Sequence, residues 1–378
     1  MDLSNFKSGN KQKGFDYYAF IPEKINTTYN WKDTELTKLI DIATLRLGEL
    51  NAFADLVPNI DHFIRMHVVK EATVSSKIEG TQTNMEDALL KEQDVQPELR
   101  NDWNEVNNYI RAMNEAVISL EKLPLSSRLL KDAHATLLDG VRGAFKMPGE
   151  FRRSQNWIGG ASIKDATFIP PFAEIVEPLM GDLENLIHSD DCGLPHVLRI
   201  ALAHYQFETL HPFLDGNGRI GRLMITLYLV SHNVLRKPVL YLSDFFEKNK
   251  TLYYDNLTRV RTHNDLIHWL KFFLVGIEKT ATASIEGLKA ILALKKDVEE
   301  SRIYSMGKRV KTAKVLLDHL FITPLVDIED VVKITGLSNV SSYKLLDDFI
   351  KLGILREITG NRRNRIFVFK EYFEIFNR

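Results

Sequence analysis

The chain has 378 residues, 44% of them hydrophobic, and a formal net charge of -1. It is long enough for two or three domains with sizeable cores, and it is no polyanion binder by bulk charge. Its only cysteine, Cys192, excludes an internal disulfide and a cysteine zinc site, which fits a reducing, cytoplasmic setting. The opening MDLSNFKSGNKQKGFDYY lacks the apolar core of a signal peptide, and no run of about 18 apolar residues predicts a membrane helix.

In chain order, residues 1–30 are polar and broken by glycine, and are expected to wrap over another surface. From Asp33 a helical period sets in, with Leu36, Leu39, Ile40, Ala43 and Leu50 near one face. Further helices are predicted over 60–79, 84–92, 100–121 and 126–140. The stretch GAFKMPGEFRRSQNWIGGASIKDATFIPP is rich in glycine, proline, β-branched and aromatic residues and predicts an exposed loop or hairpin. Helices resume over 194–210, 217–233, 244–261 and 265–300.

The last 70 residues read as a separate module. AKVLLDHLF, DIEDVVKITG and SNVSSYKLLDDFIKLG predict three helices, the second closed by Gly336 and the third opened by Ser338. The strand candidates ILREIT and RIFVFK flank a turn carrying Arg362, Arg363 and Arg365. Three helices and a basic hairpin make a winged helix-turn-helix pattern. Residues 308–378 hold 13 Lys/Arg against 9 Asp/Glu. A DNA-binding version turns Ser341, Ser342, Tyr343 and Lys344 to a groove and the three arginines to phosphates. A protein-contact version needs neither, and Asp347 and Asp348 on the reading helix oppose DNA.

The stretch HPFLDGNGRIGR, His211 to Arg222, concentrates the chemistry. Gly216, Gly218 and Gly221 satisfy the spacing of a dinucleotide fingerprint, but YQFETLHPFLD precedes them where an apolar strand is required. DGNG is instead a tight turn leading into RIGRLMITLYLV, a helix apolar nearly all round and therefore central. A glycine turn at a helix N-terminus offers free N–H groups to an anion. Arg219 and Arg222 share a face and suit phosphate oxygens. Asp215 offers an oxygen to a hard cation such as Mg²⁺, and His211 a base for a hydroxyl proton.

HPFLDGNGRIGR resembles the Fic-domain motif, HPFx[DE]GNGRxxR, at every fixed position. The resemblance extends to the GEFRRSQNWIGG…ATFIPP segment and the helical frame from about 36 to 280. It implies a mainly α fold: an N-terminal helical region (1–110), a Fic core with a short β-hairpin flap at about 145–172 (111–262), a helical linker (263–307) and a winged helix-turn-helix (308–378). It implies transfer of AMP from ATP to a Ser, Thr or Tyr hydroxyl of a protein docked on the flap. In that scheme His211 is the general base, Phe213 anchors the loop and Asp215 holds Mg²⁺. Gly216, Asn217, Gly218, Arg219, Ile220, Gly221 and Arg222 take the nucleotide, with both arginines on its phosphates. SSKIEG matches the family's inhibitory pattern, [ST]xxxE[GN], placing Ser75, Glu79 and Gly80 on a helix at about 60–80 whose carboxylate takes the γ-phosphate position on Arg222. Asn249, Tyr253 and Tyr254 are expected around the base, since aromatic faces stack on adenine and an amide reads its edge. A homodimer is the expected assembly. The alternatives left open are a Fic enzyme with deAMPylation or other phosphate transfer, and a nucleotide-sensing DNA-binding regulator.

Overall fold

The computed structural model describes residues 1–57 and 59–376. An N-terminal antiparallel hairpin, β1 (Gly9–Lys13) and β2 (Tyr18–Pro22), precedes a helical frame. The frame comprises α1 (Thr34–Leu56), α2 (Ile60–Ile78), α3 (Met85–Ala88), α4 (Arg100–Ser119), α5 (Ser127–Leu137), α6 (Val176–His188), α7 (His196–Leu210), α8 (Asn217–Ser231), α9 (Ser243–Lys248), α10 (Lys250–His263) and α11 (Leu266–Asp297). The tail follows as α12 (Val310–Ile322), β3 (Leu325–Val326), α13 (Ile328–Thr335), α14 (Asn339–Lys351), β4 (Arg356–Glu357), β5 (Phe367–Val368) and α15 (Lys370–Phe376). The molecule is mainly α, as the helical periodicity and the family resemblance imply.

α7 and α8 are the centre. Nearly every residue of both is buried, which is why neither shows a one-sided polar stripe in sequence. Their backbones approach closely at Gly221, where a Cβ would stand 2.4 Å from a Glu208 carboxylate oxygen and 3.0 Å from the Phe207 ring. α4, α5, α2 and α11 surround this pair, and α1 runs along α11.

Several elements depart from the sequence reading, among them β3 and α15, which it did not contain, and α3, which is shorter than the helix expected over 84–92. α6 was not expected, because Pro178 and Gly181 interrupt its pattern. Proline is tolerated in a first helical turn, where N–H groups have no intrahelical acceptor, and Val176, Leu179, Met180 and Leu183 bury the helix. The single helix expected over 244–261 is two, α9 and α10, joined at Asn249. Residues 1–30 do wrap over the core, but they include a hairpin. Phe20 N–H donates to Ile169 O at 2.9 Å, and Gln206 reaches Glu23 O at 3.0 Å.

The tail forms an α–β–α–α–β–β arrangement with sheet order β3-β5-β4, antiparallel throughout. It packs on the helical frame. α12 and α15 pack on α2, and α15 also packs on α11. Phe376 lies 6.0 Å from the Phe63 ring and 5.2 Å, edge-on, from His67. Lys91 bridges to Asp330 at 3.0 Å and also to Asp327. Among the described residues, no helix is long and apolar enough to cross a membrane.

Candidate functional site

The site is the turn between α7 and α8. α7 ends at His211, whose backbone is left-handed (φ 46) although it is not glycine. Such a conformation costs about 1–2 kcal/mol and persists only where the surroundings hold it. Here Arg152 Nε and Asn156 Nδ2 both donate to His211 O, at 3.0 and 3.2 Å. Arg152, 2% exposed and without a carboxylate partner among the described residues, also donates to Pro171 O and Leu210 O. Burial pushes its pKa down to about 10.

The turn is closed from inside. Asn217 Oδ1 accepts from Phe213 N–H and its Nδ2 donates to Phe213 O, each at 2.8 Å. The Asn217 side chain is therefore spent on the loop, and only its backbone N–H is left for a ligand. Phe213 is fully buried, stacked on His134 with centroids 3.9 Å apart. Gly149 N–H donates to His134 Nδ1 at 2.9 Å, so Nε2 carries the proton it gives to Asp215 O at 3.0 Å. Gly216 takes the positive φ (74) that starts α8. The N–H groups of Asn217, Gly218 and Arg219 have no acceptor among the described residues, and with the helix dipole they are suited to hold an anion.

Against this cradle stands the C-terminus of α2. Arg222 Nε donates to Ser75 Oγ at 2.8 Å, and its Nη2 to Ser75 O at 2.9 Å and Glu79 Oε1 at 2.7 Å. Burial opposes ionisation of Glu79, but Arg222 outweighs it and holds the carboxyl below its ordinary range. Burial likewise opposes the Arg222 charge, and Glu79 reverses the effect. A Cβ at Gly218 would stand 2.2 Å from Glu79 Oε1, so the carboxylate lies directly on the cradle. Gly80, in the positive-φ region at 106, lets the chain turn away after Glu79. Lys250 Nζ holds the last α2 carbonyl, Ile78 O, at 2.7 Å.

The His211 imidazole has no partner at Nδ1 among the described residues. Burial pushes its pKa down to about 3, against the opposing pull of Glu79, so the ring is neutral and able to accept a proton. Asp215 keeps 40% of its side-chain surface, with Oδ1 accepting from Gly216 N–H at 2.6 Å.

Several expected residues are placed differently. Arg219 is turned to Glu105 of α4 at 3.2 Å, a buried pair, so it meets a phosphate only by sharing that partner. Ile220 is fully buried, and its N–H closes the first helical turn on Gly216 O at 3.1 Å. Gly221 faces α7, its carbonyl held by His204 Nδ1 at 3.0 Å. Tyr253 is core, 1% exposed, with its hydroxyl 2.9 Å from His204 Nε2 and its ring on Phe246. Asn249 bonds Phe245 O and lines a different cavity behind α2. Only Tyr254 of that trio stands at the site's edge, 40% exposed. Adjacent helical residues point about 100° apart, so Tyr253 and Tyr254 cannot both face one ligand.

Sequence reasoning missed Arg152, His134, Glu105 and Glu208. The Glu208 Oε1 atom has no partner among the described residues, and burial pushes its carboxyl up to about 7 while Arg222 pulls it down. Its position three residues before His211 was the available signal. The flap is slighter than a hairpin of two strands: a single antiparallel bridge, Ile158 to Phe168, closes it. Past Phe168 its carbonyls are taken, Ile169 O by Phe20 N–H, Pro170 O by Gln155 and Pro171 O by Arg152, and only the tip between the two bridge residues pairs with no other segment among the described residues.

A fold of buried α7–α8 helices with an anion-binding turn between them defines a class, and comparison with known proteins places it. The Fic/DOC family N-terminal model matches residues 37–118, and the Fic/DOC family model matches residues 124–229. "Protein adenylyltransferase Fic" of Drosophila grimshawi is 29% identical over 182 residues, 47% of this chain and 34% of that protein. Its namesake from Aedes aegypti is 33% identical over 133 residues, 35% of this chain and 24% of that protein. The chain thus spans about a third or less of the curated relatives it matches. A crystal structure of a Fic family protein from Desulfovibrio desulfuricans G20 shares the fold at 18% identity, with a TM-score of 0.57 covering 91% of this chain and 98% of that one. The chain belongs to the Fic/DOC family.

Proposed function

We propose that this chain is an autoinhibited protein adenylyltransferase, moving AMP from ATP to a hydroxyl of a protein held along the flap. The observation that carries the reading is the 2.7 Å pair between Glu79 and Arg222 across the mouth of the α8 anion site. A triphosphate laid on the N–H groups of Asn217, Gly218 and Arg219 brings its last phosphate to Arg222, where Glu79 already sits. The hydroxyl oxygen attacks the α-phosphorus, a new P–O bond forms, and pyrophosphate leaves with the bond it breaks. The hydroxyl proton goes to the neutral imidazole of His211. Arg152 and Asn156 keep that imidazole's backbone in its strained conformation, and the α8 dipole stabilises charge developing on the phosphate oxygens.

Asp215 fits a Mg²⁺ ion: one partly exposed carboxylate is a donor set that suits a cation otherwise bound by water and phosphate oxygens. When bound there, Mg²⁺ neutralises phosphate charge. The flap tip between Ile158 and Phe168, whose backbone pairs with no other segment among the described residues, supports docking of an extended target segment by main-chain pairing. The tail, read as a winged helix, presents exposed Tyr343, Lys344, Arg362 and Arg363 to a nucleic-acid duplex. Ser342 is excluded from that surface because it is fully buried.

The test is incubation of wild type, Glu79→Gly and His211→Ala with ATP labelled on the α-phosphate, followed by intact mass. Label and an AMP mass increment in Glu79→Gly, absent from His211→Ala, are expected. Label retained in the His211 variant removes the base, and absence of label in every protein, across candidate acceptors, overturns the transferase reading.

A further inference from the structure

Behind α2, on a different face from the one that meets Arg222, lies a cavity of about 480 Å³. That volume is within the range of small-molecule sites. α2 supplies His67, Lys70 and Val74 to its wall, a stripe at i, i+3 and i+7, while Ser75 and Glu79 turn to Arg222. α11 and α15 close the other sides through Gly287 and Phe376.

Two polar side chains in this wall have no protein partner among the described residues. The Tyr241 hydroxyl is buried, 6% exposed for the residue, and unpaired. His67 lies beside it, rings 19° apart with centroids at 6.3 Å. Burial, with Lys70 next, pushes His67 down to about 3, so the ring is neutral and carries one N–H donor. The buried unpaired Tyr241 hydroxyl is costly, and one ligand acceptor group with two oxygens can meet both it and the half-buried His67 N–H. The cations are unequally committed. Lys70 and Lys248 share Asp244 at 3.4 and 3.0 Å, and Glu71 is taken by Ser243 and Tyr109. Lys279 lines the cavity with no carboxylate partner among the described residues, and Glu286 is seven residues further along α11, about 10 Å away. The remaining lining mixes polar Asn249, Thr280 and Ser284 with an apolar side, where Val74 and Phe376 stand.

We propose that this cavity binds a small organic carboxylate with an aromatic or alicyclic body, its carboxylate on Tyr241 and His67 near Lys279 and its ring against Phe376 and Val74. Because α2 is one wall, such a ligand binds the arrangement in which α2 is seated, and by linkage holds Glu79 on Arg222. The consequence for catalysis rests on the proposed function; binding and the seating of α2 do not.

The probe is 1-naphthoate, with neutral 1-naphthamide as its isostere, titrated into the full chain by calorimetry. Naphthoate should bind one per chain, and the amide at least about tenfold more weakly for loss of the charge-assisted bonds. Tyr241→Phe should weaken naphthoate by roughly five- to tenfold, the worth of one hydrogen bond. Gly287→Leu should abolish binding without unfolding the chain. A Cβ there meets only ordinary contacts, 3.8 Å from Phe63 and 3.9 Å from Ile375, and the helix gains propensity. No naphthoate binding, or binding unchanged in a folded Gly287→Leu protein, overturns the site. Amide exchange over residues 75–82 should slow by at least about fivefold with saturating naphthoate. Binding without that slowing overturns the link to α2. If exchange slows while labelling by ATP is absent throughout, the proposed function fails and this site stands.

Discussion

The chain carries two groups of arginines, and they differ in what surrounds them. Arg219 and Arg222 are 4% and 3% exposed, and each has a carboxylate partner from another helix, Glu105 or Glu79. Arg362 and Arg363 stand exposed on the β4–β5 turn, with no ion pair among the described residues, and Arg365 covers the Phe367 ring at 4.9 Å. A buried guanidinium must be satisfied within the protein, so it records a tertiary arrangement and competes for it with any ligand. An exposed one is free to meet phosphate but is worth little to stability. The first group records partners already in place, the second only an available charge.

Four measurements sharpen or break this contrast. The largest effect belongs to His211→Ala in a Glu79→Gly background: transfer should fall about 10²- to 10⁴-fold, the scale of general-base loss, with little change in nucleotide affinity by calorimetry. Next, Glu79→Gly and Glu79→Gln should each raise labelling about 10- to 150-fold over wild type. That range corresponds to the roughly 1.5–3 kcal/mol of a charge-assisted hydrogen bond, here with a carboxylate that keeps 35% of its side-chain surface, which favours the lower end. Glycine also loosens the helix end, so agreement between the two variants assigns the effect to the carboxylate, and a rise in neither breaks the inhibitory role.

The third concerns Glu208, the buried acid beside Arg222. Its carboxyl is raised from the ordinary 4.5 to about 7. The folded protein is therefore unburdened by this group below pH 4.5 and loses stability as pH rises from there through 7. At 1.36 kcal/mol per pH unit, that difference is on the order of 3 kcal/mol. Chemical denaturation of Glu208→Gln should lack this loss between pH 5 and pH 8; equal slopes in the two proteins break the assignment. The smallest effect is at the wing. Arg362→Ala with Arg363→Ala should shift unfolding stability by less than about 0.5 kcal/mol. If the tail binds duplex DNA, the log–log salt slope should drop by about 1.8, near 0.9 per lost phosphate contact. No duplex binding at low salt leaves the wing a protein-contact surface.

The helical frame was legible because burial imposes a 3.6-residue period on α1, α2, α4 and α5, whatever the partner. The anion turn was legible because DGNG must be local: its positive φ at Gly216 and the free N–H groups of α8 follow from neighbouring residues. The pairing of SSKIEG with Arg222 was legible only through resemblance, since 143 residues separate Glu79 from the guanidinium it meets. α6 was hidden by a first-turn proline whose harmlessness depends on position.

What the sequence determined by itself is therefore what chain neighbours decide: the helices, the turn, and the chemical groups carried by His211, Asp215 and the arginines. Tertiary structure decided which of those groups remain available. It gave Arg219 to Glu105, folded Tyr253 onto His204, spent the Asn217 side chain on Phe213, and left Tyr254 at the edge of the site. It also seated Phe376, from the far end of the chain, against α2. The physical reason is that a hydrogen bond or an apolar contact between distant segments leaves no periodicity in either one. Residue type fixes what a side chain can donate or accept, and only the packing of helices fixes what it meets.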